Sequence, residues 1–220
     1  MHNMAMSFRA LNKIKEAIIW LKQSLEIKQE RPDSPSKNYA IATTLSSIGI
    51  CYGQLGEYQK ALDECYEKAR EHLQDAKDDQ ATKKLKSQLY NNEGICHDEL
   101  GHYEKALEAY ENDLTIQKET NTSAGRLAMT LGNFGAVLSA QGKHEEALEK
   151  YKESLEKKRK HSGQDANTVG IAISLNNIGS QYRNLKNYPE AGKWLRDALS
   201  MKQTNYHSKN HLRQSSAHVL

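Results

Sequence analysis

Long apolar runs are missing from this chain of 220 residues. No stretch approaches the roughly 18 consecutive apolar residues that a spanning helix needs. The N-terminus also lacks an apolar core followed by a small-residue cleavage site. Cysteine is scarce, with only Cys51, Cys65 and Cys96. An odd set without zinc spacing reads as core thiols in a reducing compartment, which predicts a cytoplasmic protein. An excess of either charge is missing too: a formal net charge of +3 makes no field that points to nucleic acid. Phosphate loop, nucleophile elbow and glycine-rich dinucleotide turn are all absent. The expectation is therefore a protein that is not an enzyme, with no catalytic residues, no cofactor, no metal, and neither nucleic acid nor membrane as a partner.

What is present is an eighteen-residue pattern in four copies: Thr44 to Ala61, Leu89 to Ala106, Thr130 to Ala147 and Ser174 to Ala191. They share a glycine column (Gly49, Gly94, Gly135, Gly179) and an alanine column (Ala61, Ala106, Ala147, Ala191). The glycines are spaced by 45, 41 and 44 residues. Units of this length cannot bury an apolar face alone and must stack.

Taken in order, residues 1–10 carry no repeat pattern and are expected to be disordered. Leu11, Ile14, Ile18, Leu21 and Leu25 then recur at helical spacing up to Gln29. Ala17 lies 44 residues before Ala61, so this segment reads as the second helix of a partial repeat, about 11–30, whose first helix is missing. That would leave Ile14, Ile18, Trp20 and Leu21 partly exposed. The prolines of Arg31 to Ser36 break the helix. Complete repeats follow at about 37–77, 79–120, 124–161 and 167–205 within an array spanning 11–205.

In the first complete repeat, Tyr39 to Leu55 is predicted as helix A, Gly56 as the turn and Tyr58 as the start of helix B. Pro189 marks the same start in the fourth. Gly179 should sit against helix B near Ala191, because helices approach closely only where side chains are small. Tyr58, Tyr103, His144 and Tyr188 are expected to pack under the preceding turn. Glu64 to Lys86 reads as a solvated helical extension. Lys157, Lys158, Arg159 and Lys160 read as cations complementing a helix C-terminus. Residues 206–220 should be a loop and the start of a truncated further repeat.

The pattern of leucine, paired asparagine, apolar residue, glycine, tyrosine and alanine resembles the tetratricopeptide repeat, in the extended-helix form of kinesin light chains and nephrocystin-like scaffolds. The middle link is also close to shorter repeats of mitotic-spindle scaffolds. The resemblance implies an all-α right-handed superhelical solenoid of antiparallel helix pairs, four complete repeats with a half repeat at each end. Its A helices would line a groove for a partner's peptide. The asparagine that holds a peptide backbone in this family matches Asn92, Asn133 and Asn177, with Ser47 in the first repeat. An amide suits that role because it both donates and accepts. Asn91, Asp98, Asn176, Ser180, Arg183 and Asn184 are the neighbouring groove candidates. The groove is expected to be polar and nearly neutral, acidic at Asp98 and Glu99 and basic at Arg183. The positions of a carboxylate clamp hold Ser46, Asn91, Gly132 and Asn176 instead of lysine, which argues against a C-terminal carboxylate as ligand.

Glu93 and His97 stand where the other copies are largely apolar, and share one helix face. Two ligands make no metal site, and a mutual hydrogen bond would satisfy both. His207, His211 and His218 form a cluster near the C-terminus; like His72, His102 and His161 they are expected to be solvated. The function expected is an interaction scaffold holding a partner's peptide in the groove. The alternatives are a structural spacer or self-associating array stacking through its open ends and, behind both, a metal-dependent enzyme at Glu93 and His97.

Overall fold

The structure, a computed structural model, describes residues 2–217 apart from Asp75 and 163–167; side chains are described except at His2, Ser162, Thr168 and 204–217. Of the C-terminal histidine cluster, His207 and His211 have no described side chain and His218 lies outside the described residues. The chain divides into two units, Met1–Asn121 and Thr122–Leu220, and each is described by itself.

The first unit contains α1 (His2–Ala10), α2 (Ile14–Gln29), α3 (Pro35–Gln54), α4 (Tyr58–Ala61), a π turn (Leu62–Tyr66), α5 (Glu67–His72), α6 (Gln80–Glu99) and α7 (Tyr103–Glu119). α4, the π turn and α5 run on as one helix. The second unit contains α8 (Ala124–Ala140), α9 (His144–Ser162), α10 (Thr168–Asn184) and α11 (Tyr188–Ala217). Consecutive helices pair: α1 with α2, α3 with the α4–α5 helix, α6 with α7, α8 with α9, α10 with α11. Local chemistry sets the starts. Ser34 accepts the Lys37 amide at 3.1 Å with Pro35 at the first position of α3, and Asp79 accepts the Thr82 amide at 2.8 Å at the head of α6.

One turn joins the helices of every pair. Asn12, Gly56, Gly101, Gly142 and Lys186 have φ between 58° and 76°, each five residues before an alanine of the column (Ala17, Ala61, Ala106, Ala147, Ala191). In each, the next amide reaches back to the carbonyl five residues earlier: Lys13 to Phe8, Glu57 to Tyr52, His102 to His97, Lys143 to Leu138 and Asn187 to Tyr182, at 2.8–2.9 Å. This is the Schellman closure of a helix C-terminus.

The first of these turns corrects the reading of the N-terminus. Residues 1–10 are expected to be disordered, yet His2–Ala10 is helical, and α1 supplies the first helix that α2 was expected to lack. Ala5, fully buried, stands 44 residues before Gly49 and takes the glycine's place. Phe8 stacks on Trp20 with ring centroids 6.4 Å apart. Ile14, Ile18 and Leu21 are buried and Trp20 is half-buried. At the other end α11 continues to Ala217, through residues where a loop is expected.

Packing within a pair is set by the glycine column. A Cβ at Gly49 would lie 2.5 Å from Tyr66, at Gly94 2.5 Å from Tyr110, at Gly135 3.0 Å from Tyr151 and at Gly179 2.7 Å from Leu195. Tyr110, Tyr151 and Leu195 follow the column alanine by four residues, so the close approach lies one turn beyond Ala191, where it was expected. Tyr66 follows Ala61 by five. The π turn holds one extra residue and brings Tyr66, rather than Cys65, opposite the glycine.

Between repeats, polar struts replace what reads in sequence as surface charge. Lys158 donates to the Gly170 carbonyl at 3.2 Å and to Ser174 Oγ at 2.7 Å. Lys28 does the same to the Ala40 carbonyl at 3.3 Å and Thr44 Oγ1 at 2.5 Å. Burial lowers both lysine pKa values, with Arg31 adding to the effect at Lys28. Lys158 thus ties two helices together instead of only complementing a dipole. The stretch Glu64 to Lys86 is likewise not one solvated extension: helix ends at His72, Leu73 is fully buried and α6 starts at Gln80. Two residues of the column that opens helix B, Tyr58 and His144, face the following helix A. Tyr58 lies beside Glu99, His144 Nδ1 is 3.0 Å from Gln181 Oε1, and Tyr188, at the start of the last described helix, is 64% exposed.

Two glycines of neighbouring helices should therefore respond oppositely to alanine. Gly94→Ala drives a methyl into the buried Tyr110 ring and is expected to cost about 1–3 kcal/mol. Gly53→Ala, whose Cβ would meet nothing within 4 Å, should be neutral or gain up to about 1 kcal/mol. Urea unfolding midpoints of the two variants check the pair.

Candidate functional site

In a helix, the residue two places before the column glycine is turned about 160° away from it. That position holds Ser47 and Asn92 in the first unit and Asn133 and Asn177 in the second. All four are half-buried. Ser47 Oγ turns back to its own helix, donating to the Thr43 carbonyl at 3.0 Å. The Asn92, Asn133 and Asn177 amides make no hydrogen bond to another described residue, so they do not fasten neighbouring helices together within the described chain. An amide on a half-wet helix face with its donor and acceptor both unused can take one peptide unit from outside.

The remaining candidates divide. Asn91 is half-buried and its Oδ1 is buried without a described partner. Asp98 is half-buried, and burial first, then Glu99, raise its carboxyl pKa. Ser180 is half-buried, while Asn176, Arg183 and Asn184 are exposed. Asn184 Nδ2 stands 3.5 Å from His144 Nδ1, at the foot of the preceding helix B.

The surface is less polar than expected. Met129 and Ile173, 61% and 50% exposed, each stand one turn before an asparagine, Asn133 and Asn177. In the first unit the corresponding face carries Ile50 and Ile95, the latter 37% exposed. Gly53, Asn92, Tyr58, Tyr66 and Cys96 complete with them a pocket of about 260 Å³. Sequence reasoning passes over this pocket because Gly53 belongs to no column. Charge differs between the units: α6 carries Asp98 and Glu99, whereas α8 and α10 contain no acidic residue and Arg183 is exposed.

Glu93 and His97 do not come together with a third ligand; among the described residues no group of three metal-binding side chains exists. Glu93 is buried and its Oε1 lies 2.8 Å from Arg70 Nε on α5, an ion pair whose angle falls short of a hydrogen bond. Both line a polar cleft of about 190 Å³ between α5, α6 and α7. Burial pushes the Glu93 carboxyl up to about 7, the Arg70 cation opposing only in part. Burial lowers the His97 imidazole, with Lys105, His102 and Arg70 adding to it. Among the described residues no helix is long and apolar enough to cross a membrane.

Comparison with known proteins agrees with this architecture. Profiles described as tetratricopeptide repeat match residues 1–31, 87–160 and 171–206. No curated protein matches the chain. Among solved structures, BtubC (BKLC) from P. vanneervenii is similar with a TM-score of 0.77 and 17% identity, over 92% of this chain and 78% of that one. A putative kinesin light chain of Podosopora anserina with nearly identical repeats has a TM-score of 0.73 and 16% identity, over 93% and 94%. YrrB, described as having an unusual peptide-binding site, has a TM-score of 0.59 and 20% identity, over 95% and 90%. At these identities the likeness shows the fold.

The buried carboxylate gives a pH signature. Native Glu93 keeps its proton up to about pH 7, while an unfolded glutamate loses it near about 4.3. Across that window the native state binds more protons, so this group's contribution to stability falls as pH rises. Glu93→Gln is neutral throughout. It is expected to gain roughly 1–3 kcal/mol on the wild type between about pH 4 and pH 8, read from urea midpoints; a difference independent of pH would contradict the assignment.

Proposed function

We propose that this chain, which belongs to the tetratricopeptide-repeat family, is a non-enzymatic cytoplasmic scaffold in which the helix-A face of each unit, taken by itself, holds extended peptide of a partner protein. Asn92 in the first unit and Asn133 and Asn177 in the second take the peptide backbone. Ser47, Asn91, Asp98, Asn176, Ser180, Arg183 and Asn184 flank them. The observation that carries the reading is the state of the three amides: one column, half-buried, and unbonded to any described residue. Amides that are partly accessible and unbonded within the described chain are open to an outside backbone, and an extended peptide offers donors and acceptors along its length. The peptide site named for YrrB supports peptide binding on this fold. Stacking through the open N-terminal end loses its motive, since α1 covers Ile14, Ile18 and Leu21.

Selection of random linear peptides on the wild-type chain, repeated on Asn92→Ala/Asn133→Ala/Asn177→Ala, tests the proposal, with circular dichroism confirming equal helicity. Enriched peptides should lose at least about tenfold affinity in the variant, about 1.4 kcal/mol. No enrichment, or affinity unchanged by the three substitutions, would remove the groove from the account.

A further inference from the structure

Gly53 is a glycine that packing does not require. Gly49, one turn earlier on α3, leaves no room for a methyl, whereas a Cβ at Gly53 would meet nothing within 4 Å. The corresponding positions of the other repeats, Asp98, Ser139 and Arg183, all present a side chain. Glycine in a helix is costly in chain entropy, and what it leaves behind here is space. The pocket of about 260 Å³ has Ile50 and Ile95 as walls and the buried Tyr66 ring as floor; Asn92 and Tyr58 stand among its lining. No lysine or arginine lines it.

We propose that this is the anchor pocket for an aliphatic side chain, leucine, isoleucine or methionine, of an extended peptide that carries a lysine or arginine beside that residue. The proposal rests on the groove reading and names its ligand chemistry. Asn92, on the pocket's edge, holds the peptide unit next to the anchor, so backbone and side chain are fixed by adjacent contacts. The aliphatic preference follows from the lining: Ile50, Ile95 and the Tyr66 ring offer dispersion contact, while the polar groups of Gln54, Tyr58 and Asn92, which also line the pocket, are available to the peptide backbone beside the anchor.

The basic neighbour follows from the charge on the same helix. Asp98 stands three residues after Ile95 and Glu99 four, on the face that Ile95 shares. Neither carboxylate is ion-paired to a described residue. Glu99 lies beside Tyr58, and both burial and Glu99 raise the Asp98 carboxyl. Glu99, against the lining residue Tyr58 and next in the chain to Asp98, together with the absence of any cation from the lining, complements a positive charge on the ligand and repels an acidic one.

The experiment uses the whole chain and a displayed library of random linear peptides, selected on wild type, Gly53→Leu, Ile95→Lys, Asp98→Asn and Asn92→Ala. Gly53→Leu fills the pocket from within, and Ile95→Lys, at a partly exposed position, charges its wall should the leucine disturb folding; circular dichroism and melting report on both. Enriched wild-type peptides should share an aliphatic or methionine residue next to lysine or arginine. Either pocket variant should weaken them by about tenfold or more, the scale of one buried aliphatic side chain. Asp98→Asn should relax the basic preference. Peptides weakened by Asn92→Ala but bound equally by folded Gly53→Leu and Ile95→Lys, or sharing no aliphatic residue, overturn the pocket and leave the groove standing. Peptides insensitive to every variant, or no enrichment at all, overturn both.

Discussion

In the four pairs of the glycine column helix A comes so near to helix B that it gives up its side chain, and in the α1–α2 pair the place is held by the smallest one, Ala5. Gly49, Gly94 and Gly135 meet tyrosine rings and Gly179 meets Leu195, at distances no Cβ could occupy without displacing them. The left-handed turn follows from this approach, since the chain must reverse within two or three residues. The placement of the asparagines follows too. A helix locked by its glycine face has its opposite side fixed, and the position two residues earlier points outward in every copy. The face that carries the asparagines is thus set by the packing face, which is why the two columns travel together along the sequence.

The π turn shows how strict the approach is. One extra residue between Ala61 and Tyr66 would have rotated the ring off Gly49 by a quarter turn or so; widening a single turn absorbs it and returns the ring to its place. Tyr66 then does two things: it closes the pair against Gly49 and floors the pocket that Gly53 leaves open. An insertion in helix B is therefore felt at the Gly53 pocket through one side chain, Tyr66.

Much of this was legible in the residues. The glycine and alanine columns placed the helix pairs, and Pro189 and Gly56 placed turns that the structure retains. Helix α1 was not legible because Ala5 stands for the glycine and Asn12 for the turn glycine. Both substitutes are tolerated for physical reasons, alanine by its small side chain, asparagine by its ease in the left-handed region, yet neither looks like the pattern. Lys158 was misread because a lysine at a helix end has an adequate local explanation, and its partners lie 12 and 16 residues ahead on another helix. The asparagine positions could be picked from the pattern, whereas their unbonded state depends on what surrounds them in space. Gly53 carried no signal, since an empty volume is a property of neighbours that are not there.

The struts between repeats have a thermal consequence. Lys28 with Thr44, and Lys158 with Ser174, join successive repeats through charge-assisted hydrogen bonds. At the corresponding places of the α5–α6 joint, once the π turn's extra residue is counted, stand Leu73 and Leu89, both fully buried in one apolar core. Apolar burial weakens on cooling whereas hydrogen bonds do not share that dependence. The seams therefore draw on different interactions: at these places the leucine seam rests on apolar burial alone, which weakens on cooling, whereas the lysine seams add a polar contact to theirs.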